Sequence, residues 1–120
     1  MSGRRILLVE DEAAIQAPLV DALAEAGYIV DVAASIAEAW PCLDAHPYAL
    51  VIADWRLPDG DGTLIADAAA QLGAATLVMS GYLSRMPGGR VEQHPTMMKP
   101  FPLRELVAAV EMSIGKSEVR

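Results

Sequence analysis

At 120 residues, 53% of them hydrophobic, the chain suffices for one domain that buries about two thirds of its unfolded surface, and it is too apolar for a disordered segment. A net charge of −7 without an extended basic patch argues against binding a phosphate backbone, and a lone Cys42 excludes an internal disulfide or a multi-cysteine metal site. No apolar run approaches the ~18 residues of a membrane span and the N-terminus lacks a signal-peptide core, so the expected setting is a soluble, cytoplasmic domain contacting neither membrane nor nucleic acid.

In chain order, short apolar runs alternate with Ala/Leu-rich amphipathic stretches, the βαβα rhythm of a parallel sheet with helices on both faces. The first strand is expected over Arg4 to Val9 and the first helix over Glu12 to Ala26, stopped by Gly27, with Pro18 costing a hydrogen bond and bending it. A second strand, Tyr28 to Ala33, leads to a helix opened by Ser35 and Glu38 at capping-box spacing. Pro41 weakens that helix, which ends by His46-Pro47. The third strand is Ala49 to Asp54, followed by a loop, Trp55 to Gly62, dense in turn formers. A helix over Thr63 to Leu72 closes at Gly73, and a fourth strand covers Ala75 to Ser80. From Gly81 to Pro95 the pattern leaves room for a turn or two of helix at most. A short strand, Thr96 to Met98, a helix over Leu103 to Ile114 and a polar tail, 115–120, complete a single domain spanning 1–120.

Charged or hydroxyl residues stand at the C-terminal ends of the apolar runs: Glu10 and Asp11 after the first strand, Asp54 after the third, Ser80 after the fourth and Lys99 after the fifth. If these strands share one sheet, those ends share the edge where open α/β sheets place ligands. Three carboxylates about 5 Å apart would repel pairwise by about 3 kcal/mol at an effective dielectric near 20. Such a cluster holds a proton or recruits a cation, and hard oxygen ligands suit Mg²⁺. Lys99 supplies a compact positive charge for Asp54 or for an incoming phosphoryl oxygen, and Ser80 a hydrogen bond to another. The set suits phosphoryl transfer to a carboxylate, with Asp54 as nucleophile. Taken singly, each residue has a plainer reading: Asp11 as an N-cap of the first helix, Lys99-Pro100 as a turn.

With these residues in place, the chain resembles a receiver domain of the two-component response-regulator family along essentially its whole length. The resemblance rests on Ile6-Leu7-Leu8-Val9-Glu10-Asp11-Glu12, on Asp54-Trp55-Arg56-Leu57-Pro58 through Gly62, on Met79-Ser80-Gly81 and on Lys99-Pro100-Phe101. It implies a flavodoxin-like, doubly wound, five-stranded parallel sheet of order 2-1-3-4-5, here with a short or irregular fourth helix. It implies phosphorylation of Asp54 by a histidine kinase or histidine phosphotransfer protein, and control of an unidentified downstream protein. It also implies Mg²⁺ held by Asp11, Asp54 and the backbone carbonyl of Arg56, with Glu10 acting near the metal, Ser80 as switch hydroxyl and Lys99 paired with the phosphoryl group. Because family members often have a cis bond before the proline that follows the lysine, the resemblance also leads to the expectation of a cis Lys99–Pro100 bond.

Two departures bear on switching. The family usually places Tyr or Phe three residues before the lysine, where this chain has Thr96, and the stretch between Ser80 and Lys99 is short. Tyr82, or reordering of the Gly81–Pro95 loop, is a candidate replacement for the aromatic switch; Tyr82 as a mere cover over the site is the alternative. A Mg²⁺-dependent phosphohydrolase is the rival from another class, disfavoured because Arg56 stands where a second acid/base carboxylate would be needed. A receiver belonging to a hybrid histidine kinase is a further alternative, although Met1 and the polar tail suggest a whole protein. Asp59-Gly60-Asp61-Gly62 lacks the acidic ladder of a Ca²⁺ loop and reads as turn chemistry; His46 and His94 lack ligand spacing.

Overall fold

The computed structural model of the chain describes residues 4–81 and 94–118. In chain order the elements are β1 (Arg5–Val9), α1 (Ala13–Glu25), β2 (Ile29–Ala33), α2 (Ile36–Ala45), β3 (Leu50–Asp54), β4 (Arg56–Leu57), β5 (Gly60–Asp61), α3 (Thr63–Gln71), β6 (Ala75–Gly81), β7 (Thr96–Lys99) and α4 (Leu103–Glu118). Five strands form one parallel sheet in the order β2-β1-β3-β6-β7, while β4 and β5 make a separate antiparallel pair. With that small pair set aside, the order is the 2-1-3-4-5 expected from the sequence. No helix among the described residues is long and apolar enough to cross a membrane.

The period-two geometry of a strand sorts the apolar runs onto two faces. Leu7, Val9, Val51 and Ala53 point to one side and pack with Ile36, Ala39 and Leu43 of α2 and Ile65 and Ala69 of α3. Ile6, Leu8, Leu50, Ile52, Leu77 and Met79 point to the other and pack with Leu19 and Leu23 of α1 and Leu106, Val110 and Ile114 of α4. Burial on both faces is why β1 and β3 read as continuous apolar runs rather than alternating ones.

Helix ends follow local chemistry. Gly27 and Gly73 take φ of +102° and +93° just past α1 and α3, a region open to glycine. At α2, the Ser35 hydroxyl accepts from Glu38 N–H (3.1 Å), and the Glu38 carboxylate accepts from Ala34 N–H (2.9 Å). Pro18 and Pro41 lie inside α1 and α2, which continue through them.

Three readings of the sequence change. The N-cap of α1 is Glu12, with no side-chain cap, rather than Asp11; the Glu12 N–H is taken by the Glu10 carboxylate (3.1 Å). The turn-rich loop after β3 contains the β4–β5 hairpin. The last helix does not stop at Ile114 but runs to Glu118, through Gly115, because an exposed glycine costs a helix only about 1 kcal/mol relative to alanine. Tyr82 and the expected short helical turn before His94 fall outside the described residues.

Candidate functional site

The register of the sheet assembles the polar strand ends. Val9 pairs with Ala53 and Asp54 with Met79, so Glu10 and Asp54 follow each other across the edge at one level. Ser80 pairs with Met98 and Gly81 with Lys99, placing the amine one strand further out. Carboxylate oxygens of Glu10, Asp11 and Asp54 lie within 4.8 Å of one another. The Lys99 Nζ bridges Glu10 Oε1 and Asp54 Oδ2, 3.2 Å from each.

Burial is unequal across the cluster. Glu10 is fully inaccessible and Asp54 is 7% exposed, whereas Asp11 lies in the open. Both Glu10 oxygens are engaged, one by Lys99 and the other by Glu12 N–H. The Gln16 side-chain amide donates to the Glu10 carbonyl, a contact that sequence spacing did not suggest. The Ser80 hydroxyl, at the same edge, donates to the Gly81 carbonyl (3.3 Å). Thr96 opens β7, exposed, with its hydroxyl on the His94 carbonyl (3.3 Å).

Burial pushes the Asp54 carboxyl above its ordinary range, the Lys99 ammonium and the Arg56 N–H work against it, and Asp11 adds to it. Glu10 is also raised, first by burial and then by Asp54, against the Glu12 N–H and Lys99. Burial disfavours the charged Lys99, but attraction to Asp54 and Glu10 outweighs it and holds the amine above its ordinary value. Three carboxylates facing one amine leave net negative charge in a poorly solvated pocket, a donor set of hard oxygens that fits a small divalent cation. Glu10 and Asp54 each already have two protein partners, Lys99 with the Glu12 N–H for one and Lys99 with the Arg56 N–H for the other, whereas Asp11 is exposed.

The hairpin after Asp54 forms one wall. Arg56 is exposed and lays its guanidinium over the Trp55 ring, 5.3 Å from the centroid. Asp11, Trp55, Arg56, Leu57, Pro58, Gly60 and Asp61 line an open cleft of about 530 Å³ beside the cluster. Gly62 donates to the Trp55 carbonyl (2.7 Å) and lies so close to Asp54 that a Cβ there would collide with the Asp54 carbonyl oxygen. Asp61 accepts from both the N–H and the hydroxyl of Thr63 (2.9 and 2.7 Å), opening α3.

The family model for the response regulator receiver domain matches residues 6–111. The response regulator receiver protein CpdR of Brucella abortus is 32% identical over 113 residues, covering 90% of this chain and 94% of CpdR. The transcriptional regulatory protein PdtaR of Mycobacterium tuberculosis is 33% identical over 121 residues, covering 94% of this chain and 58% of PdtaR. The chain spans about half the length of several curated relatives it matches, PdtaR and TorR among them. In structure it is similar to a CheY-like receiver domain protein from Methanospirillum hungatei, with a TM-score of 0.89, 28% identity and 98% of each chain covered. With the strand order, the acidic edge and the bridging lysine already in place, these matches show that the chain belongs to the response regulator receiver domain family.

Proposed function

We propose that this chain is a single receiver domain over residues 1–120 that accepts a phosphoryl group on Asp54 from a histidine kinase or a histidine phosphotransfer protein, and signals by phosphorylation-controlled binding to a protein partner. The observation that carries the reading is the buried Asp54 carboxylate, 3.2 Å from the Lys99 amine and beside the Glu10 and Asp11 oxygens. In the reaction, an Asp54 oxygen forms a bond to phosphorus as the phosphorus–nitrogen bond of the phosphohistidine breaks. The imidazole nitrogen keeps that electron pair, and the ring, protonated on its other nitrogen, leaves neutral.

Residues of this chain supply position and charge. Asp11, Asp54 and the Arg56 carbonyl would hold Mg²⁺, which when bound neutralises charge on the transferring phosphoryl group. Glu10 holds Lys99 in place, and the Lys99 amine turns from a carboxylate to a phosphoryl oxygen once Asp54 is modified. Ser80, released from the Gly81 carbonyl, donates to another oxygen. The acyl phosphate carries more negative charge and more acceptors than the carboxylate, which biases Ser80 and Lys99 toward a second arrangement. With Thr96 in place of an aromatic, that arrangement depends on Tyr82 or on the Gly81–Pro95 loop. The first products are the phosphoprotein and the neutral imidazole; water then cleaves the acyl phosphate to the original carboxylate and inorganic phosphate, and no small substrate ester is turned over.

The test is intact mass and tryptophan fluorescence in Mg²⁺ with acetyl phosphate, wild type beside Asp54→Ala. A gain of one phosphoryl group in the wild type alone, with Trp55 quenched, is expected. A gain in both proteins would move the acceptor elsewhere, and steady hydrolysis of phosphate esters by the wild type would favour the phosphohydrolase.

A further inference from the structure

The hairpin that carries Arg56 is too short to hold itself in place, since each of its strands has two residues. Its tip is tied to a different element. The Asp59 carboxylate accepts from the N–H groups of Ile36 and Ala37, both at 2.9 Å and through separate oxygens. These are the first two amides of α2, donors that a helix leaves without an internal partner. The helix's own cap, Ser35, takes the third, from Glu38. Two of the three are therefore satisfied from 22 and 23 residues away.

Packing reinforces the tie. Leu57, in β4, is buried in the same apolar cluster as Ile36 and Ala39. Gly60 takes φ of +146°, and a Cβ there would stand 3.1 Å from the Ile36 Cδ1. At its base the hairpin is pinned by Gly62 against Asp54. The segment is thus clamped between the acidic cluster on one side and the start of α2 on the other.

We infer that Asp59 is a positioning residue for the cation site: by strapping the Asp54–Gly62 segment to the N-terminus of α2, it sets the place of the Arg56 carbonyl relative to Asp11 and Asp54. This rests on the cation-dependent reading proposed above. The strap touches neither the cation nor a carboxylate of the cluster. It acts one step further out than the hydrogen bonds that orient a metal ligand directly, whose loss costs about tenfold or more in metal affinity. By linkage, a cation that draws the Arg56 carbonyl into place also stabilises the Asp59 cap on α2.

The experiment measures Mg²⁺ affinity by Trp55 fluorescence in the full chain, in a Trp40→Phe background, together with amide exchange at Ile36 and Ala37 with and without Mg²⁺. Asp59→Ala is expected to weaken Mg²⁺ binding by about threefold to tenfold, at or below the loss for a direct partner of a ligand. Asp59→Asn keeps one acceptor oxygen but turns its amide NH2 against the second α2 donor, and is expected to lose part of the affinity that Asp59→Ala loses. Ser35→Ala frays the same helix end without touching the hairpin and is expected to bind Mg²⁺ as the wild type does. In the wild type, Mg²⁺ is expected to slow exchange at Ile36 and Ala37. Unchanged affinity in Asp59→Ala with both amides deprotected overturns the strap. An equal loss in Ser35→Ala overturns it too, since helix stability alone would then account for the effect. If Asp59→Ala does not fold, Asp59→Asn against wild type decides on its own: identical Mg²⁺ affinity with faster amide exchange rejects the role. A wild type with no Mg²⁺ response overturns the cation reading itself, and the inference with it; that result is told apart because it needs no variant.

Discussion

The two ends of the sheet bury polar groups in opposite ways. Near the N-terminal end, charges are matched: Asp31 accepts from the Arg5 guanidinium (2.9 Å) and from the buried Tyr48 hydroxyl (2.7 Å). Three strands across the sheet, the buried His94 ring lies between Thr76 Oγ1 and Asp67 Oδ1, 2.7 Å from each. Burial works against the ionised Asp31, yet the bonds from Tyr48 and Arg5 outweigh it and hold the carboxyl below its ordinary value. At the C-terminal edge, Glu10 and Asp54 are held above theirs. The first end is satisfied as folded. The second carries a surplus of negative charge that a bound cation would relieve, which is how strain of this kind marks a candidate site rather than a structural tie.

The largest expected effect is at Lys99. Lys99→Ala leaves the fully buried Glu10 and the nearly buried Asp54 without their counter-charge, and should cost the Mg²⁺-free protein about 3 kcal/mol, part of it recovered by Mg²⁺. Urea unfolding with and without Mg²⁺ measures both quantities. At the other end, Asp31→Ala strands the Tyr48 hydroxyl and should cost about 2 kcal/mol, with no recovery by Mg²⁺. Equal rescue of the two variants by Mg²⁺ would erase the distinction between the ends.

The smallest effect is a pair of opposed pH limbs in the Mg²⁺-free protein. Between the unfolded carboxylate value near ~4 and the raised values of Glu10 and Asp54, the native state binds more protons than the unfolded chain. Stability therefore falls as pH rises through that window. Asp31 acts in reverse: its contribution is present above ~4 and is lost as pH falls through its depressed value. Unfolding free energies from pH 2 to 8 should show the falling limb flattened by Mg²⁺ and the acid limb flattened by Asp31→Ala. A falling limb insensitive to Mg²⁺ would detach it from the acidic cluster.

The legible part of the sequence was the part written in contiguous residues. Ile6 to Val9 and Leu50 to Ala53 announce buried parallel strands by composition, Gly27 and Gly73 announce helix ends, and Ser35 with Glu38 announces a cap. The charged residue ending each run was equally plain, so Glu10, Asp11, Asp54 and Lys99 could be named before they were seen together. The last helix reads as ending at Ile114 because only a polar tail follows, but polar residues extend an exposed helix end and an exposed Gly115 is tolerated inside it.

What the tertiary structure decided lies between residues far apart in the chain. Lys99 meets Glu10 across 89 positions, Asp59 reaches Ile36 across 23, and His94 reaches Asp67 across 27. Local propensity and periodicity act over a few residues, so they specify which groups stand at the ends of elements. Which of those groups end up charge-matched, and which face one another in surplus, depends on the sheet register and on burial, and those exist only once the chain has folded.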